Sequence, residues 1–121
     1  MNIKDYSEEV EKLVITVANS RLVENTLGLV GEAGEVAEKI KKFIRDEDFS
    51  KEDNIKELGD VLFYTTALAN HIGSDLQTVL DTNIKKLHDR KKRNKIKGSG
   101  DNRLIILLII NIHFFIYYQL Y

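Results

Sequence analysis

Apolar residues recur along the first ninety positions with the 3.6-residue period of helices that lie on a core. Val10, Leu13, Val14 and Val17 form the first stripe, behind Ser7 as a helix N-cap, and that helix is expected to end near Ser20. The second starts between Val23 and Gly28 and runs to about Arg45, with Leu29, Val30, Ala33, Val36, Ala37, Ile40 and Phe43 on its buried side. The polar run RDEDFSKEDN then reads as a loop. Ser50 with Asp53 resembles a capping box that opens a third helix, striped by Leu58, Val61, Leu62, Thr65, Leu68, Ala69 and Ile72, continuing to His71 and stopped by Gly73 at C′. Ser74, with Gln77 three residues on, opens a fourth helix whose buried side is Leu76, Val79, Leu80, Ile84 and Leu87 and which frays between Lys91 and Lys97. Four helices with short loops predict an all-α fold, an antiparallel four-helix bundle-like core.

The pattern changes abruptly after Arg103. Leu104–Tyr121 carries no charged residue, and only Asn111, His113 and Gln119 interrupt its apolar run. Such a stretch is at the short limit for a membrane span, follows basic residues, and is also rich enough in Ile, Phe and Tyr for a strand. Three readings stand side by side: a C-terminal anchor, an extra helix packing on the bundle or on a partner subunit, or a terminus unrelated to the domain before it. The expected division is a domain over 1–103 and an apolar tail over 104–121 that is dispensable for chemistry.

Composition narrows the class. The 121 residues fit one domain, and the chain has no Cys, Pro or Trp. A disulfide framework and thiol chemistry are thereby excluded, and the N-terminus lacks the apolar run of a secretory signal, so a cytoplasmic protein is expected. Charge is unevenly spread. Residues 1–60 hold 15 acids and 9 bases, whereas 61–121 hold 4 and 9, all nine bases falling between Lys85 and Arg103. An acidic half that needs cations beside a basic segment that can hold phosphates is the polarity of a nucleotide enzyme.

The acids have a pattern of their own. GEAGEV at Gly31–Val36 is echoed by KELGDV at Lys56–Val61, aligning Glu32 with Glu57, Gly34 with Gly59 and Glu35 with Asp60. Each block holds two carboxylates at i, i+3, about 5–6 Å apart on one helix face, and in both helices they fall at the margin of the apolar stripe. With 31% charged residues, one such pair is ordinarily a solvated face. Two pairs in matched phase are less ordinary: side by side they bring four partly desolvated carboxylates together, which is costly unless a cation joins them. Oxygen-only ligands suit Mg²⁺, or Mn²⁺, better than Zn²⁺. Gly34 and Gly59, each disfavoured inside a helix, are expected to mark a close approach of backbone, ligand or neighbouring helix.

Other residues allow two readings each. Lys39 is by default an i, i+4 partner of Glu35, and more sharply a phosphate ligand beside the metal. Asn83, Lys86 and Arg90 share one margin of the fourth helix. They read as part of a solvated basic helix end, or as contacts to a polyphosphate and sugar. No Glu-x-x-His pair, Walker-type loop or nucleophile elbow is present, and no interleaved aromatics favour a nucleic-acid partner.

Taken together, LGLVGEAGEVAEKIKK at Leu27–Lys42, KELGDVLFY at Lys56–Tyr64, Asn83 and Lys86 with Arg90, and GSGDNR at Gly98–Arg103 resemble the MazG-like branch of the all-α nucleoside triphosphate pyrophosphohydrolases. The resemblance implies a helical bundle that forms homodimers or homotetramers and hydrolyses a (deoxy)nucleoside triphosphate to the monophosphate and pyrophosphate with Mg²⁺. By matching positions, Glu32, Glu35, Glu57 and Asp60 are the expected metal ligands and catalytic groups, and Lys39, Asn83, Lys86 and Arg90 the expected contacts to phosphate or sugar. The apolar tail has no counterpart in the family pattern. Two readings of other classes compete: a non-catalytic helical protein that dimerises or sequesters nucleotide, and a membrane-tethered partner protein that uses residues 104–121.

Overall fold

The structure is a computed structural model and describes residues 1–93. The GSGDNR segment, the 103/104 boundary and the apolar tail lie outside the described residues. Four helices follow one another: α1 Ile3–Leu13, α2 Arg21–Asp46, α3 Lys51–His71 and α4 Leu76–Lys92. The all-α class is as expected. Two compact units divide the chain, the first Met1–Thr82 and the second from Asn83 onward.

The helix ends show where local chemistry overrode the simplest reading of the sequence. α1 is capped by Asn2, whose side chain accepts the Asp5 N–H while Asp5 reaches back to the Asn2 N–H, a reciprocal capping box. Ser7, expected as the cap, is instead buried in the second turn, where its hydroxyl accepts the Leu76 N–H at 3.3 Å and so ties α1 to the start of α4. α1 also stops at Leu13 rather than near Ser20. Val14 is extended, and it opens the run Val14-Ile15-Thr16-Val17, whose β-branched side chains lose rotamer freedom in a helix.

The Ser50 side chain accepts the Asp53 N–H as anticipated, and Gly73 terminates α3 with φ +76°. The Gly73 N–H bonds the Asn70 carbonyl and the Ser74 N–H bonds the Ala69 carbonyl, the crossed pair of a Schellman motif. Because Ser74 is engaged in closing α3, the next residue caps α4: the Asp75 carboxylate accepts the Thr78 N–H at 2.7 Å, which holds its pKa below the usual range. Asp75 therefore replaces Ser74 as the cap.

In the first unit, α3 packs against both α2 and α1. Its buried residues include Val10, Thr66, Ala67, Ala69 and Leu76. The expected stripes are only partly covered: Val30 is 66% exposed, Leu58 56% and Leu62 40%. A pair of helices lying side by side in one layer shields the residues along their seam and leaves the outer flank of each stripe open. The register of that pair is set where Gly28 faces Tyr64, since a Cβ on Gly28 would stand 2.3 Å from the tyrosine ring. The close approach is thus at Gly28, whereas Gly34 and Gly59 face open space.

Candidate metal and nucleotide site

With Gly28 against Tyr64, antiparallel pairing carries α2 and α3 past each other so that Glu32, one turn after Gly28, comes level with Asp60, one turn before Tyr64. Glu57 lies one turn further along α3. Each of Glu32, Glu57 and Asp60 offers an oxygen within 4.8 Å of the others, the first two half-buried and Asp60 exposed. Glu35 is exposed and outside that group, although its charge still reaches Glu32. Three of the four expected carboxylates are therefore gathered, drawn from both helices.

The electrostatics follow from crowding. Glu32 has its pKa raised, first by partial burial and then by the charges of Asp60, Glu57 and Glu35. Lys39 supplies compensation from one side. Its ammonium pairs across the seam with Glu57 at 3.2 Å, and that contact, chiefly its hydrogen bond, raises the lysine pKa. The expected default pair of Lys39 with Glu35 is replaced by this inter-helix pair, because the packing brings a less exposed acid within reach. One ammonium does not balance three carboxylates. Three convergent oxygen donors with excess negative charge fit a hard divalent cation and offer no nitrogen or sulfur ligand.

Two residues escaped the sequence reading. Tyr6 on α1 has its phenol pKa raised by burial and by the charge of Asp60, which brings α1 to the edge of the site. Asn25 is 2% exposed and its side-chain Nδ2 has no hydrogen-bond partner. The available signal was phase: seven residues before Glu32, Asn25 shares its face of α2. Asn83, Lys86 and Arg90 lie on α4 in the second unit, the asparagine exposed, Lys86 half-buried and Arg90 buried. Among the described residues, no helix is long and apolar enough to cross a membrane.

Comparison with known proteins agrees with this chemistry. Residues 21–94, which contain α2, α3, α4 and every carboxylate of the site, match the family described as the MazG nucleotide pyrophosphohydrolase domain. The Gene 37 protein of Mycobacterium phage L5 is 51% identical over 83 residues, spanning 64% of this chain and 73% of its own length. No solved structure matches. With its paired acidic blocks on two antiparallel helices and a match over more than half its length, the chain belongs to the MazG nucleotide pyrophosphohydrolase family.

Proposed function

We propose that the protein hydrolyses a (deoxy)nucleoside triphosphate to the nucleoside monophosphate and pyrophosphate, in a reaction that depends on Mg²⁺ or Mn²⁺. The convergence of Glu32, Glu57 and Asp60 within 4.8 Å carries this reading. These three would hold the cation, with Glu35 joining them from the next turn. The bound cation supplies charge neutralisation at the triphosphate and lowers the pKa of water. Glu35 or Glu57 accepts the proton of the water that attacks the α-phosphorus, and pyrophosphate leaves. Lys39 is freed from Glu57 when a cation takes over that carboxylate, and its ammonium is then available to the phosphates. Asn83, Lys86 and Arg90 are proposed as further phosphate or sugar contacts.

The partner proposed is a second copy of the chain, as a homodimer or a pair of dimers. The flank left open on α2 and α3 by Val30, Leu58 and Leu62 supports this, because burying each such side chain contributes about 1.5–3 kcal/mol. Light scattering on the full chain should give at least twice the mass of one chain. A freely diffusing nucleotide substrate and a divalent cation fit the cytoplasm.

The deciding assay is pyrophosphate release from each common nucleoside triphosphate, with Mg²⁺ and with chelator. Stoichiometric monophosphate and pyrophosphate, abolished by chelation, is the expected result. Orthophosphate as the product, or no turnover of any nucleotide, overturns the proposal.

A further inference from the structure

A second cavity lies on the same seam. It has a volume of about 370 Å³ and is lined by Leu13 and Val14 at the end of α1, Ile15 and Thr16 in the connection, Glu24 and Asn25 on α2, and Phe63 and Tyr64 on α3. The lining is unlike that of the carboxylate site. Apolar side chains and two aromatic rings, 5.3 Å apart and edge-on, form most of the wall. Two buried polar atoms in it have no hydrogen-bond partner: Asn25 Nδ2 and Thr16 Oγ1. An unpaired amide in so buried a place is a standing cost to the fold, and a ligand atom that accepts from it removes that cost.

Position identifies the ligand. Asn25 precedes Glu32 by seven residues, so it shares that face of α2 and stands about 10 Å further along the axis. Tyr64 follows Asp60 by one turn and sits on the matching stretch of α3. Lys39 and Glu57 lie at the opposite end of the carboxylate cluster. Along one seam the order is an apolar cavity with unpaired polar atoms, then the carboxylates, then an ammonium. A nucleoside triphosphate has the same order: base, α-phosphate, terminal phosphates.

We propose that this cavity seats the nucleobase and that Asn25, with Glu24 beside it, reads the base edge furthest from the sugar. The assignment rests on the pyrophosphohydrolase reading above. The Asn25 amide donates to a base carbonyl and the Glu24 carboxylate accepts from the neighbouring ring N–H, a combination offered by uracil, thymine and guanine. Cytosine and adenine present an amine and a bare ring nitrogen there, leaving the amide unpaired and setting a lone pair against a carboxylate.

The test compares keto-edged with amino-edged nucleotides in the parent and in Asn25→Ala. In the parent, kcat/KM should favour the keto-edged triphosphates. Asn25→Ala should lower their kcat/KM at least about tenfold, mostly through KM, while changing the amino-edged values less than about threefold. The melting temperature of the substrate-free variant should be unchanged or higher, because an unpaired buried amide has been removed. Equal losses for all bases, or a melting temperature lower by about 5 °C or more, would mark Asn25 as a structural residue and overturn the proposal. A second measurement is independent of turnover. Quenching of tyrosine fluorescence in the parent should show uridine binding more tightly than cytidine without any metal. Equal binding, or none, counts against the cavity even if triphosphates are hydrolysed, whereas selective binding with no hydrolysis upholds the cavity and refutes the reaction.

Discussion

The first unit contains two polar clusters built on opposite terms. At one end, Arg21 grips Glu11 with both guanidinium nitrogens at 2.5 and 2.6 Å. Asn70 donates to the Glu11 carboxylate and to the Ser7 carbonyl, and Ser7 bonds α4. Four helices meet there with donors matched to acceptors. In the middle of the α2–α3 seam, three carboxylates converge with one lysine between them. The first cluster satisfies itself and serves as a clasp. The second is left with excess charge of one sign, which folding alone gives no reason to assemble, so its balance has to come from outside the chain.

That contrast can be broken most forcefully at the carboxylates. Glu57→Gln or Asp60→Asn should reduce turnover by at least about 100-fold. Neither should lower the melting temperature in chelator, since each relieves like-charge repulsion. Mg²⁺ at about one hundred times its dissociation constant should stabilise the parent by about 2.7 kcal/mol and these variants much less. Thermal melts with and without the cation check both statements. A variant that loses stability in chelator yet keeps its response to Mg²⁺ would place the seam in the clasp's category.

The clasp should respond in the opposite way. Glu11→Gln is expected to cost about 1 kcal/mol or less, because the carboxylate is half exposed and its pairing is screened by solvent, and to leave kcat unchanged. Its pH dependence has a definite sign. The hydrogen bond from Arg21 lowers the Glu11 pKa, so the pair contributes above the ordinary glutamate range and is lost as pH falls through the lowered value. The parent and Glu11→Gln should therefore converge in stability as pH falls below about 4, read from urea midpoints.

The smallest effect is expected at Lys39. If its ammonium stands in for part of the missing cation, Lys39→Met should tighten Mg²⁺ binding roughly threefold in calorimetry without nucleotide, while weakening the binding of nucleotide. Weaker binding of the metal by itself would show that Lys39 orders Glu57 instead of competing for it.

Much of this molecule is written in short-range signals. The Ser50 cap and the Gly73 stop were legible because each depends on a few neighbouring residues. The caps of α1 and α4 were not, because two capping residues stood near each start and the choice turned on other elements. Ser7 was taken by α4, and Ser74 by the end of α3. The early end of α1 was a local effect of β-branched residues that the apolar stripe masked.

The sequence by itself determined that each helix carries two carboxylates on one face, because an i, i+3 spacing on an α-helix fixes that geometry whatever else the helix touches. It also determined the all-α class, through the period of its apolar residues. Only the tertiary structure decided that Glu32, Glu57 and Asp60 meet while Glu35 stands outside, that Lys39 reaches Glu57, and that Asn25 is buried without a partner. These depend on the sliding register of two helices, held where Tyr64 lies over Gly28, and a helix's own spacing carries no record of what passes in front of it.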